Sequence, residues 1–325
     1  MPTCLVLGAT GFIGGHIART ALENGWRTRG LRRDPRAIGH LQETSIEWCT
    51  GNLADLASLT AAMQGMEVVF HAAAYYPKAG RPSDVPAQVA YAIQEMDTVM
   101  NAARQAGVRR FVFTSTLTTI GNPPPGEGRL ADEHDFYVPG TLPKSGYYEA
   151  KFAMEARLLE AARNDFPAVI LNPTAVFGPG DVHRTMGRLL LAVARGWGIA
   201  WLPLMVNVID VREVACAHLA AVIKGKIGER YILGGHNLSV KEALGTVARL
   251  AGAKQPRFEF PLFILDWIVA LGDFLPFMST GNHLRAIRHW QGYNTEKARR
   301  VLGLTPRPFD ETVRDALAWF NENRS

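Results

Sequence analysis

Thr3-Cys4-Leu5-Val6-Leu7-Gly8-Ala9-Thr10-Gly11-Phe12-Ile13-Gly14 reads as a strand, a glycine turn and the start of a helix. The short apolar run from Thr3 to Leu7 predicts a strand buried on both faces. Ile13, Ile17, Ala21 and Leu22 then recur at helical spacing until Gly25, a helix C-cap. Gly8 permits a tight turn, Gly11 lets backbone amides reach a pyrophosphate, and Gly14 lets the helix pack closely. The helix N-terminus faces the negative charge. In this context Gly8, Thr10, Gly11, Phe12, Ile13 and Gly14 predict a dinucleotide loop rather than an ordinary glycine-rich turn.

The tip of the second strand should tell which dinucleotide, because a carboxylate there accepts the two ribose hydroxyls of NAD. Thr28-Arg29-Gly30-Leu31 instead delivers Arg32 and Arg33, with Asp34 and Pro35 following. Two forked guanidiniums suit a 2′-phosphate. The expected cofactor is NADP, with NAD possible, and Asp34 is the residue that could reverse the choice.

Strands and helices go on alternating, which predicts a doubly wound parallel sheet of the Rossmann type. Ile46–Cys49, Glu67–His71, Arg110–Phe113 and Ala168–Leu171 read as strands, and a long helix ends near Gly107. Residues 1–175 are expected to form the dinucleotide-binding domain, with 204–233 returning to it and Val206–Ile209 joining its sheet. Residues 176–203 and 234–325 are left for a smaller substrate lobe.

Tyr147 and Lys151 open a predicted helix, and a spacing of four puts both on one face. A phenol ionises near pH 10 unless nearby positive charge favours the phenolate. An ammonium one turn away supplies that charge, so Tyr147 can exchange a proton with a substrate oxygen while hydride passes at the same carbon. Thr116, at the end of the fifth strand, can hold that oxygen. Ser115 competes with it, since adjacent strand residues point to opposite faces. Tyr148 competes with Tyr147 but stands three residues from Lys151.

The 325 residues exceed one ordinary domain, and a hydrophobic content of 47% supplies a large core. Cys4, Cys49 and Cys216 are isolated and odd in number, which predicts free buried thiols and no structural metal or disulfide. The formal charge of +5 is spread without a basic block, so no nucleic-acid partner is expected. A strand beginning at residue 3 leaves no room for a secretory signal, which predicts a cytoplasmic protein. The apolar run Phe260–Phe277 is interrupted by Asp266, Asp273 and prolines and falls short of the roughly 20 residues a membrane span needs. It reads as a helix over the pocket or an oligomer contact, with attachment to a membrane surface as the weaker alternative.

Further motifs join these: Gly51-Asn52-Leu53-Ala54-Asp55, His71-Ala72-Ala73-Ala74, Asn172-Pro173-Thr174-Ala175-Val176-Phe177-Gly178-Pro179-Gly180, Val208–Ala215 and Asn294–Gly303. With them the chain resembles an extended short-chain dehydrogenase/reductase of the epimerase/dehydratase superfamily over essentially its whole length. Gly228–Gly235 makes it most similar to the dihydroflavonol-reductase-like and hopanoid-associated sugar epimerase branch. The resemblance implies a catalytic hydroxyl at Thr116, an acid/base at Tyr147 and a ribose-binding lysine at Lys151. It also implies cofactor contacts from Asn52 and Leu53, from Ala72 and Ala73, and from Pro173, Thr174 and Val176. Arginine at position 33 is common in the reductase branch and implies NADP. A homodimer through the helices near 84–106 and 145–164 is implied by the same resemblance.

Departures from the pattern bear on the chemistry. Dehydratases carry an Asp-Glu pair directly after the catalytic Thr, but Leu117 and Thr118 stand here, which disfavours dehydration. The usual Asp of the adenine loop is replaced by Asn52, and a helix position where many relatives carry Asn holds Ala92, near Gln94. Tyr75, Tyr76 and His183 are placed to reach a small-molecule substrate, though loop packing or a wall of the cofactor pocket is the plainer account of each. Three readings follow: an NADPH-dependent ketone or aldehyde reductase, a nucleotide-sugar epimerase with Arg285 and Arg288 as weak pyrophosphate ligands, and a non-catalytic dinucleotide sensor.

Overall fold

β1 (Thr3–Leu7) sends Cys4 and Val6 to one face and Leu5 and Leu7 to the other, and all four are fully buried. Such a strand belongs in the middle of a sheet covered on both sides. The computed structural model describes every residue except 43, 74–83, 143–144, 182–185, 265–266, 268–289 and 324–325.

The chain continues through α1 (Phe12–Glu23), β2 (Arg27–Arg32), β3 (Glu47–Thr50), α2 (Leu56–Met63), β4 (Val68–His71), α3 (Val85–Gln105), β5 (Arg110–Thr114), α4 (Gly146–Arg163) and β6 (Ala168–Pro173). Next come β7 (Ala175–Phe177), α5 (Gly187–Ala194), β8 (Ala200–Trp201), β9 (Met205–Asp210), α6 (Val211–Lys224), β10 (Arg230–Leu233), β11 (His236–Ser239) and α7 (Val240–Leu250). Helices Glu296–Leu302 and Phe309–Glu322 follow.

Seven strands form a parallel sheet in the order β10-β6-β5-β4-β1-β2-β3. α1 and α6 cover one face, where Ile17, Phe70, Val112 and Tyr231 are buried, and α2, α3 and α4 cover the other, around Leu59, Met96, Phe111 and Met154. From β1 the strands are added outward through β2 and β3 on one side and through β4, β5 and β6 on the other, and ligands of doubly wound sheets sit beyond the strand ends at such a switch of order. The loops after β1, β2, β4, β5 and β6 carry most of the candidate residues to this end of the sheet, with Asn52 and Leu53 after β3 and Tyr147 and Lys151 on α4.

One strand departs from the expectation. Val206–Ile209 does not join the main sheet: β9 pairs with β7 in parallel and with β11 antiparallel in a separate three-stranded sheet. α5, α7 and the helix Phe309–Glu322 pack on it through Leu190, Val247 and Val313. α6 and β10 do return to the main sheet. The three cysteines are free, but only Cys4 is buried; Cys49 is half-buried and Cys216 is exposed, contrary to the expected buried thiols. Among the described residues no helix is long and apolar enough to cross a membrane, and no group of His, Cys, Asp or Glu is arranged to hold a metal. Most of the Phe260–Phe277 run lies outside the described residues.

Candidate active site

The glycine turn is built by contacts that admit no side chain. Gly8 has φ +90°, and a Cβ there would lie 2.7 Å from the Ala73 amide nitrogen. Gly11 is the N-cap of α1; its amide donates to the Gly8 carbonyl at 2.9 Å, and no side chain caps the helix. The first turn of α1 also lacks an acid. Uncapped amides at the start of a helix, approached only by backbone, form a cradle that fits a pyrophosphate. The segment after β2 folds over it: His40 packs on Gly15, Gly39 abuts the Thr10 carbonyl, and Arg19 donates to the His40 carbonyl at 2.6 Å.

The two arginines after β2 differ in setting. The Arg32 guanidinium stacks 5.0 Å from the Trp48 ring and lies half-buried, whereas Arg33 is exposed. Asp34 accepts from the Arg36 amide at 2.9 Å and pairs with its guanidinium at 3.3 Å, and these bonds hold its carboxyl below the usual range. The Asp34 carboxylate is thus turned toward Arg36.

Asn52 and Leu53 follow β3, with Asn52 Oδ1 accepting from the Ala54 amide. Ala72 extends β4, donating to the Leu7 carbonyl, and brings Ala73 against Gly8. Pro173 ends β6. The Thr174 hydroxyl donates to Asn207 at 2.8 Å, and Val176 is buried in the core of β7. Tyr75, Tyr76, His183, Arg285 and Arg288 lie outside the described residues.

Lys151 is 2% exposed, with Nζ 5.3 Å from the Phe113 ring centroid. Burial lowers its pKa to about 8, against the opposing pull of Glu155 and Glu95. Tyr147 is half-buried one turn earlier and meets Tyr148 edge-on. Tyr148 points elsewhere, buried against Tyr137, and burial raises its phenol well above the ordinary value. The start of α4 is fixed by Glu149, which accepts from the Tyr137 hydroxyl at 2.7 Å and the Gly140 amide at 2.9 Å.

After β5 the two hydroxyls diverge. Ser115 is buried and donates to Glu155, while the half-buried Thr116 uses its oxygen to accept from the Thr118 amide at 3.3 Å. Beside them a cavity of about 160 Å³ is lined by Leu117, Thr118, Phe136, Tyr137, Tyr148 and Tyr293, among others, with no charged side chain among the described residues. Sequence reasoning missed Glu155, Arg230, Asn172 and Thr119, which bond to one another beneath this site. A usable signal existed: Glu155 interrupts the apolar stripe of α4 between Met154 and Leu158.

The chain matches the model of the NAD dependent epimerase/dehydratase family over residues 4–234. It is 31% identical over 331 residues to a Synechocystis sp. protein named for dihydroflavonol 4-reductase, covering 98% of this chain and 94% of that one. It is 30% identical over 331 residues to sterol demethylase protein B of Methylococcus capsulatus, with 98% of each covered. A solved structure described as a nucleoside-diphosphate-sugar epimerase from Pseudomonas aeruginosa superposes with a TM-score of 0.84 at 28% identity, covering 99% of this chain and 98% of that one.

Proposed function

The chain belongs to the NAD dependent epimerase/dehydratase family and is an NAD(P)-dependent enzyme of the extended short-chain dehydrogenase/reductase kind, and from that premise we propose that it is an NADPH-dependent reductase of an uncharged ketone or aldehyde. When bound, the dinucleotide supplies the hydride. Tyr147 gives its phenolic proton to the carbonyl oxygen, and the Lys151 ammonium one turn away stabilises the phenolate left behind. The Thr116 oxygen accepts from the Thr118 amide, so its O–H is the part that can hold the substrate oxygen. Arg33, exposed at the end of β2 where Asp34 is engaged by Arg36, favours NADP over NAD.

The observation that carries the choice of substrate is the cavity beside Thr118 and Tyr148. Among the described residues its lining is largely aromatic, with Asn122 and Gln291 as polar groups and no cation, which suits an uncharged carbonyl compound better than a sugar nucleotide's pyrophosphate. The name of the Synechocystis relative agrees with this reading. The epimerase reading retains support from the name of the Pseudomonas structure.

Nucleotides released on denaturing the purified protein separate the two. The reductase is expected to emerge empty and to bind NADPH well ahead of NADH; dinucleotide retained near one per chain points to the epimerase. Tyr147→Phe should then lower turnover by about 10²-fold or more at nearly unchanged NADPH affinity. Persisting activity would sink the assignment of Tyr147.

A further inference from the structure

Beneath the proposed catalytic set lies a buried polar cluster that the reaction as written does not use. Glu155 is 2% exposed and Arg230 is 3% exposed, with Arg230 Nε 2.7 Å from Glu155 Oε1. This is an ion pair rather than an aligned hydrogen bond, since that N–H points at no acceptor. Glu155 Oε2 accepts from the Ser115 hydroxyl, from the Thr119 hydroxyl at 2.7 Å and from the Asn172 amide at 2.9 Å. Asn172 also donates to the Thr116 carbonyl at 3.2 Å. Arg230 donates onward to the carbonyls of Glu133 and Thr119 at 3.0 and 2.9 Å, and stacks 4.1 Å from the Phe136 ring.

The arrangement brackets Thr116. Its neighbour Ser115, its own carbonyl and Thr119 three residues on are all held by one carboxylate, directly or through Asn172. That carboxylate sits on α4, one turn beyond Lys151 and two beyond Tyr147. Desolvating two charges costs about as much as their attraction returns, and an apolar pair of similar volume is commonly as stable or more so. Stability alone therefore gives little reason for a carboxylate and a guanidinium at this depth.

We infer that Glu155 is a positioning residue of the reaction: anchored by Arg230, it locks the Ser115–Thr119 turn onto α4, so that Thr116 is set against Tyr147. This rests on the roles proposed above for Thr116, Tyr147 and Lys151.

The groups facing Lys151 agree. Among the described residues these are Glu155 on its own helix, Glu95 from α3, the His71 ring from β4 and the Phe113 ring from β5. His71 is neutral, its pKa lowered by burial to about 3. Burial raises the pKa of Glu95, and of the two carboxylates Glu155 is the larger opposing influence on Lys151. Removing it leaves burial less opposed, and the ammonium is then lost at a lower pH.

The test compares full-length wild type with Glu155→Gln, with the paired Glu155→Met/Arg230→Met, and with Tyr147→Phe. Hydrogen exchange across residues 115–119 needs no substrate; turnover is followed with NADPH and benzaldehyde as a generic carbonyl probe across the neutral and alkaline range. In Glu155→Gln, exchange at 115–119 should quicken, NADPH affinity should stay within about threefold, kcat should fall by about 30-fold or more, and the alkaline decline should begin at lower pH. The methionine pair should recover the melting temperature while exchange at 115–119 stays fast and kcat stays low. Unchanged exchange at 115–119 in Glu155→Gln, or a methionine pair that recovers kcat along with stability, overturns the inference. An active Tyr147→Phe instead overturns the proposed chemistry, and the exchange result still decides whether Glu155 fixes the turn.

Discussion

A Cβ on residue 14 would fall 2.1 Å from the carbonyl oxygen of Gly8 and 2.6 Å from its carbonyl carbon. The obstacle is backbone, which cannot swing aside as a flexible side chain can. Gly14→Ala must therefore push α1 away from β1 and open the amide cradle. It is expected to cost about 1–3 kcal/mol or more of stability and most of the NADPH affinity. Melting temperature and NADPH fluorescence titration check this. Gly25→Ala is the comparison, since its Cβ would meet nothing at φ +76°, and it should cost about 1 kcal/mol with binding intact. Equal behaviour of the two variants would refute a tight turn.

Arg33→Ser isolates the contribution of one guanidinium. Arg32 is held over Trp48 and shapes the loop, so its loss mixes packing with charge; Arg33 is exposed, and its loss removes little else. A charge-assisted bond to a 2′-phosphate contributes about 1.5–3 kcal/mol, so NADPH should bind roughly 10- to 100-fold more weakly in Arg33→Ser. NADH affinity should stay unchanged in the same titration. Equal losses for both cofactors would mean that Arg33 does not read the phosphate.

Much of this was legible locally. The glycine turn, the alternation and the Tyr147 helix each follow from spacing within about twenty residues, where periodicity and backbone sterics act directly. Val206–Ile209 was misread because an apolar run looks the same in any sheet that buries both faces. Its partners, Ala175–Phe177 and His236–Ser239, are chosen by pairing across the chain, with the buried Asn207 satisfied by Thr174 and Asn237. Glu155 was passed over because an acid four residues after a lysine ordinarily marks a solvated helix pair. The arginine that makes it a buried anchor comes from β10, which no local pattern connects to α4. Cys216 looks core-like by its neighbours, yet it lies on the outward side of α6.

Tyr148→Phe is the control for Tyr147→Phe. Tyr148 is buried against Tyr137, its phenol is harder to ionise than an ordinary tyrosine, and it lines the cavity. Its hydroxyl is thus unsuited to give up a proton. Turnover of Tyr148→Phe should stay within about threefold of wild type, with any change falling on KM, because only the cavity wall is altered. A collapse of kcat in this variant would move the acid/base role to Tyr148.

Three buried histidines make the fold sensitive to acid. His218 Nδ1 lies 2.7 Å from the Val214 carbonyl, which can only accept, so Nδ1 carries the proton and Nε2 accepts from the Thr114 hydroxyl at 2.7 Å. His16 Nε2 likewise donates to the Pro179 carbonyl at 2.8 Å. His71 is fully buried, and neither ring nitrogen has a partner among the described residues. Burial holds all three neutral, lowering their pKa values to about 4 for His16 and His218 and about 3 for His71. The unfolded chain binds protons near 6.5, so it takes up more protons than the native state below that value. The stability these groups contribute is complete above 6.5 and is lost as pH falls toward 4 for His16 and His218 and toward 3 for His71, at roughly 2 kcal/mol for each by about pH 5. Denaturant midpoints measured at neutral and mildly acidic pH should fall accordingly. His71→Leu discards no hydrogen bond among the described residues, so it should be near neutral in stability at neutral pH and should remove about a third of the loss that these three histidines cause. An acid loss as steep in His71→Leu as in wild type would show that His71 is already protonated in the folded protein, hydrogen-bonded in a way that offsets its burial.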